Sequence, residues 1–505
     1  MERSRARILL IIFLLFFLIV VPAIALIGVF SLRLPARAER IVLVARVQGK
    51  FPDYPPSFST DIFLARKEPN MTDLLICLER AEKDDRVETV VLKVLPSGAG
   101  AAKCEELSSA IFRLRMSGKQ VIAFSPILIG SHYLAATAAD SLFMPPSGYL
   151  VIPGVSSSAM FMRGTFDKLG ITPNIHRIGE YKSAAEMLTE TKRSPASREM
   201  IEWILEDRYG RFVETVAERR DAAPETVTGW IDRGIWSPQR AYDNGLIDGV
   251  RFWDQLETVF EEQELHLIDM YDYLEGRSMG YIEALESKVA VVHVQGRIVT
   301  GRSGFDMMDG NTAGSETVIA ALRKARDNTT VKAVVLRVDS PGGDAFAGDM
   351  ISREVQLVSR VKPVVVSMSD VAASGGYQVA YRADKIIALP GSITGSIGSI
   401  TGKLNLRGFY DRIGITKDEI GIGDKALIFS DYRDFTEEEL RVIEEEHYAF
   451  YFRWIEDIAL HRDMRIGQVD SIARGRVWTG EQAAGLGLVD ETGGLRHAVE
   501  IACQL

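Results

Sequence analysis

Histidine and cysteine are scarce in this chain of 505 residues, which has 7 of the first and 3 of the second. Cys77, Cys104 and Cys503 are too few and too scattered to frame a disulfide-stapled domain or a zinc site. The histidines stand singly, without H-E-x-x-H or similar ligand spacing, so no metal is expected. Basic residues are in deficit, 59 against 69 acidic ones. The net charge of −10 lacks the basic footprint of a nucleic-acid binder. Apolar residues, by contrast, are plentiful. At 47% hydrophobic and 25% charged, the chain can bury large cores, which excludes general disorder. Its length allows about two to four domains.

Long apolar runs are missing too, with one exception. Residues 8–30 carry no charge. At about 1.5 Å per residue they suffice to cross a hydrocarbon core of roughly 30 Å. Arg3, Arg5 and Arg7 precede the run, and Arg33 and Arg37 follow it; this basic bias puts the N-terminus in the cytoplasm. A cleaved signal peptide would carry a shorter apolar stretch of about 7–15 residues. The expectation is an uncleaved single-pass anchor within residues 1–33, with the rest of the chain outside the cytoplasm.

That remainder reads as two copies of one unit, residues 34–272 and 273–505. VETVVLKV at 87–94 aligns with VKAVVLRV at 331–338. The same spacing relates Tyr133 to Tyr377, Asp140 to Asp384, Gly164 to Gly408, and Gly170 to Gly414. Near the end it drifts slightly, so that Trp236 matches Trp478. A constant spacing held over so many positions marks an internal repeat. In the second copy, strands are expected over 289–294, 333–338, 363–368 and 385–389, and helices over 316–326, 346–358 and 374–383. Continuous Val/Ile/Leu runs separated by helices predict an α/β fold with parallel strands covered on both faces. A long helix should run from Thr436 to about Leu460, with Thr436 as N-cap and Glu439 completing a capping box. Its counterpart should begin near Ser197.

Ala373-Ser374-Gly375-Gly376-Tyr377 lies between a strand and a helix. Small neighbours let a substrate backbone approach Ser374. A serine at a helix N-terminus also meets unpaired N–H groups able to stabilise an oxyanion, and Gly342-Gly343 offers more of them. The competing reading makes Ser374 an ordinary N-cap and the glycines a packing contact.

A nucleophilic serine needs a base. No histidine is close in sequence, and an S-x-x-K pattern is absent because Tyr377 stands at that place. The repeat supplies a candidate. Gly179-Glu180-Tyr181-Lys182 aligns with Gly423-Asp424-Lys425-Ala426, so Lys182 matches Ala426 while Ser374 matches Gly130. One copy has the lysine without the serine, the other the serine without the lysine, as a site shared between halves would. Lys425 is the rival, one residue off; in an extended segment its side chain would point the opposite way. Glu186 should point away from the Lys182 amine, because a nearby carboxylate would keep that amine charged.

These blocks, with Asp339-Ser340-Pro341-Gly342-Gly343 and Thr394-Gly395-Ser396-Ile397-Gly398, resemble the signal peptide peptidase A (protease IV) family in its long two-repeat form. The resemblance covers nearly the whole chain. It implies a tandem repeat of the Clp protease/crotonase-like fold and a serine peptidase with Ser374 as nucleophile and Lys182 as base. It further implies that Ser396 positions the amine and that N–H groups near Gly343 and Gly375 form the oxyanion hole. No cofactor is implied. The implied setting is a bacterial inner membrane with the catalytic body on the periplasmic side, an assembly of four copies, and substrates that are signal-peptide remnants and other short peptides.

Three other readings stay open at this point. A crotonase-like acyl-CoA enzyme would share the paired N–H groups, but a body outside the cytoplasm would not meet acyl-CoA. An inactive scaffold would keep the repeat for assembly only. A Ser-His-Asp enzyme would need His132 or His293.

Overall fold

The computed structural model describes Phe16 and residues 40–55, 69–276, 287–307 and 310–505. The anchor expected at residues 8–30 lies, apart from Phe16, outside the described residues. Among the described residues no helix is long and apolar enough to cross a membrane.

Two sheets, parallel along their main paths, are built from runs of Val, Ile and Leu. The first takes the order His266–Asp269, Ile41–Gly49, Val87–Ser97, Gln120–Phe124, Ser141–Met144 and Gly249–Val250. The second takes the order Lys288–Gln295, Val331–Ser340, Val364–Ala373, Lys385–Ala388 and Glu491–Thr492. Apart from the extra edge strand of the first, corresponding strands hold corresponding places. Both faces are covered, and alternate residues serve opposite cores, as a period of two requires. Val334, Leu336 and Val338 pack with Ile351 and Val355 on one face. Ala333 and Val335 pack with Leu495 and Ala498 of the C-terminal helix on the other.

The halves are joined by a strand pair. Thr172–Ile178 runs antiparallel to Ser399–Asn405, with Ile178 opposite Ser399. The long helix of the second half spans Glu437–His461, with Thr436 and Glu439 forming the capping box. Its counterpart spans Pro195–Arg219 and is capped by Ser194, three residues before Ser197. One expectation fails locally. In place of a helix over 374–383 there is a four-residue helix, Gly375–Gln378, followed by turns. Gly375 and Gly376 give the helix little intrinsic support, and Tyr377, fully buried with its hydroxyl donating to Leu488 O at 3.0 Å, is fixed by the core.

Candidate active site

Ser374 stands at the end of the strand Val364–Ala373, on a backbone bend with φ 55° and ψ −117°. Its N–H donates to Gly395 O at 2.8 Å. A left-handed non-glycine residue costs on the order of 1–3 kcal/mol. Gly130, its counterpart, has φ 49° and ψ −117°. The fold thus imposes the same bend in both halves; the first fills it with glycine, and the second keeps a serine where a side chain is strained. The loop before it is equally tight. A Cβ on Gly342 would lie 2.8 Å from Ser374 Cβ and 2.7 Å from Gly375 N.

Strand register carries Lys182 to this bend. With Ile178 opposite Ser399, the chain leaving Ile178 runs toward the loop that precedes Ser399 and holds Ser396. Glycine makes the approach possible. A Cβ on Gly475 would lie 2.4 Å from Lys182 N, and one on Gly179 would lie 2.2 Å from Arg474 C. Tyr181 N donates to Arg474 O at 3.0 Å. Lys182 then ends the loop and leads into a 3-10 turn at Ser183–Ala185, rather than lying in an extended strand.

The Lys182 side chain spans the junction between the halves and is only 6% exposed. Its Nζ lies 2.9 Å from Ser374 Oγ, 2.7 Å from Ser396 O and 3.0 Å from Ser396 Oγ. Burial alone pulls this amine down to about 7. Glu186 turns elsewhere, accepting from Arg177 at 3.0 Å and from Ser194 Oγ at 2.6 Å. The geometry suits a neutral amine. A carbonyl oxygen can only accept, so one N–H is committed to Ser396 O. A second can go to Ser396 Oγ, which leaves the nitrogen lone pair for the Ser374 hydroxyl proton.

Two amides sit beside the serine. Gly343 has φ 151°, and a Cβ there would strike Ile298 O at 2.1 Å. Gly375 opens the short helix, and its Cβ position is 3.1 Å from Gly343 N. Among the described residues neither N–H is hydrogen-bonded to an acceptor. Unpaired donors of this kind can receive a carbonyl oxygen as it gains negative charge.

Beneath the two strand ends lies a buried ionic cluster that sequence reasoning missed. Lys103 Nζ donates to Asp339 at 2.7 Å and lies 3.3 Å from Asp53 and 3.6 Å from Asp370. Arg337, fully buried, donates to Asp53 at 2.9 Å and pairs with Glu106. Asp339 leads into the Gly342-Gly343 loop, and Asp370 lies on the strand that ends at Ser374. Lys103, Asp53 and Glu106, all from the first half, therefore brace both from below. Burial, then the Asp53 charge, raises the Asp339 carboxyl to about 6. Burial alone would lower the Lys103 amine, but the surrounding carboxylates hold it above its ordinary value. The signal was in the repeat: Asp339 and Asp370 stand where the first half has Leu95 and Pro126.

The rival groups are elsewhere. Lys425 pairs with Glu438 at 3.1 Å. His132 is hydrogen-bonded to Ser97 Oγ at 2.8 Å. His293 stacks on Tyr54, and burial pulls it down to about 4. Among the described residues no cluster of His, Cys, Asp and Glu could hold a metal ion.

Comparison with known proteins adds a family. The model of peptidase family S49 matches residues 113–266 and again 356–505. A serine protease SPPA, chloroplastic, of Arabidopsis thaliana is 32% identical over 474 residues, covering 92% of this chain and 69% of that one. A protease 4 of Haemophilus influenzae is 31% identical over 453 residues, covering 86% of this chain and 72% of its own. Among solved structures, a ClpP1 mutant from Listeria monocytogenes overlaps 42% of this chain and 94% of its own, at 14% identity and a TM-score of 0.27, too loose a likeness to argue from. The chain belongs to peptidase family S49, a serine peptidase whose family domain occurs here twice.

Proposed function

We propose that this chain is a membrane-anchored serine endopeptidase working through an acyl-enzyme, with Ser374 as nucleophile and Lys182 as general base. The observation that carries the reading is the buried Lys182 amine 2.9 Å from Ser374 Oγ, with no carboxylate hydrogen-bonded to it among the described residues. An amine held near 7 is part neutral at working pH and can both take and return a proton. Ser374 Oγ attacks the peptide carbonyl carbon as its proton passes to Lys182 Nζ. The carbonyl oxygen gains the charge and is met by the amides of Gly343 and Gly375. The C–N bond then breaks, and the ammonium gives its proton to the leaving nitrogen. Lys182 next deprotonates water, which attacks the ester and frees Ser374 with its proton restored. Ser396, accepting two of the amine's contacts, fixes where its lone pair points.

The reading includes an anchor at residues 1–33, repeat units at 34–272 and 273–505 of the Clp protease/crotonase kind, and a catalytic body on the periplasmic side of a bacterial inner membrane. The substrates are signal-peptide remnants and other short peptides. It also includes a tetramer. The strands that join the halves, Thr172–Ile178 and Ser399–Asn405, have counterparts at 416–422 and 155–161 that form no strand and make no backbone pairing among the described residues. Ile420 is 87% exposed, Ile422 98% and Met160 75%, which suits pairing between successive copies. Ser374→Ala and Lys182→Ala should each abolish peptide hydrolysis while leaving fold and assembly intact; full activity in either would sink the assignment.

A further inference from the structure

The segment Arg474-Gly475-Arg476 threads between the two loops that meet at Lys182. On one side Arg474 O accepts from Tyr181 N at 3.0 Å. On the other, Gly475 N donates to Ile397 O at 2.7 Å and Arg476 O accepts from Ser396 N at 2.6 Å. The side chain of Arg476 extends the same link. Its guanidinium carbon lies 4.6 Å from the ring centre of Tyr181, 4.5 Å from Trp203 and 4.7 Å from Trp478. One nitrogen reaches Glu199 at 3.2 Å. Among the described residues its buried Nε has no hydrogen-bond partner. Trp203 and Trp478 meet edge to face at 5.4 Å, so the aromatic faces support one another as well as the cation.

The box draws on both halves. Tyr181 adjoins Lys182 in the loop of the first half, Trp203 lies on the helix Pro195–Arg219, and Trp478 lies on the strand Val477–Thr479. The first half has a looser parallel: Arg233, next to Gly234, which aligns with Arg476, rests on Trp236 at 4.7 Å. Among the described residues, only the second half gathers rings from across the junction. A planar, weakly hydrated guanidinium suits a stacked position that an ammonium would fill poorly.

We propose that Arg476 is a positioning residue: its guanidinium, seated among Tyr181, Trp203 and Trp478, clamps the Lys182 loop of the first half to the Ser396 loop of the second and keeps water from the lysine amine. The inference rests on the Ser374/Lys182 reading. It goes beyond that reading by assigning the desolvation of the base to a residue that touches neither substrate nor nucleophile. Loosening the clamp admits water to Lys182, and the amine then returns toward its ordinary value near 10.5.

The test is the pH dependence of kcat and KM for a fluorogenic peptide, in the full chain, for the wild type, Arg476→Leu and Arg476→Lys. In the wild type, kcat/KM should rise with pH through a midpoint near 7. In Arg476→Leu the midpoint should move up by one pH unit or more. This makes a loss of about fivefold or more at pH 7, carried by kcat with KM unchanged and largely recovered by about pH 10. Arg476→Lys keeps the charge and loses the plane, so it should move the midpoint the same way by less. It decides the matter if the leucine variant does not fold. A midpoint left near 7, with activity either unchanged or reduced equally at every pH, overturns the inference. Failure of the underlying dyad looks different: the wild type itself would lack the midpoint near 7, or Lys182→Ala would remain active.

Discussion

Lys182→Met should remove the base and yet stabilise the protein near neutral pH. The Lys182 amine is buried, and burial lowers it from 10.5 to about 7. Between those values the unfolded chain binds a proton that the folded chain does not, so stability rises with pH across that window. It is lowest at and below pH 7. The whole fall corresponds to roughly 5 kcal/mol, and at pH 8 to roughly 3 kcal/mol. Methionine fills much of the same space without the charge. It forfeits the hydrogen bonds to Ser374 and Ser396, each worth about 1 kcal/mol. The variant should therefore be about 1 kcal/mol more stable than the wild type near pH 7, and about 2 kcal/mol less stable near pH 10, where the wild-type penalty has nearly gone. Urea unfolding followed by tryptophan fluorescence at several pH values gives the difference directly. A difference flat between pH 7 and pH 10 would refute the argument. A slope of the opposite sign would mean that the lysine is charged and paired in the folded state.

Three further outcomes follow from particular contacts. Ser374→Gly should be inactive but no less stable than Ser374→Ala, because the bend is left-handed and Gly130 already occupies its twin; a melting temperature well below that of the alanine variant would contradict this. Lys103→Met leaves Asp53, Asp339 and Asp370 without a shared cation and should cost about 3–5 kcal/mol in denaturant unfolding at pH 8; a neutral result would remove the bracing role. Replacing Ile420 and Ile422 together by Asp should dissociate the assembly in analytical ultracentrifugation, and an unchanged sedimentation profile would rule out pairing through 416–422.

Much of the fold was legible because parallel strands buried on both faces must be written as apolar runs, and a repeat writes them twice. Lys288–Gln295, Val331–Ser340 and Lys385–Ala388 fall within a few residues of the runs that announce them. Thr436 and Glu439 marked their helix because a capping box is local chemistry. The helix expected after Ser374 was too long because packing, not propensity, ends it. At the site, the repeat pointed to Lys182 through what each copy lacks. It could not give the register of Thr172–Ile178 on Ser399–Asn405, which joins distant segments and carries the lysine across. Lys103, Arg337 and Arg476 stayed hidden for a related reason. A charged residue reads as surface until its partners are known, and most of theirs lie in the other half of the chain.

The central claim is that Lys182 activates Ser374. It is tested most directly by the rate at which a peptidyl phosphonate labels the protein, with the modified residue located by mass spectrometry, in the wild type and in Lys182→Ala across pH 5–10. The wild type should be labelled at Ser374, with a rate that rises through a midpoint near 7, and Lys182→Ala should be labelled at least about a hundredfold more slowly, with that pH dependence gone. Equal labelling of Ser374 in the two proteins, or labelling of another serine in the wild type, would contradict the account.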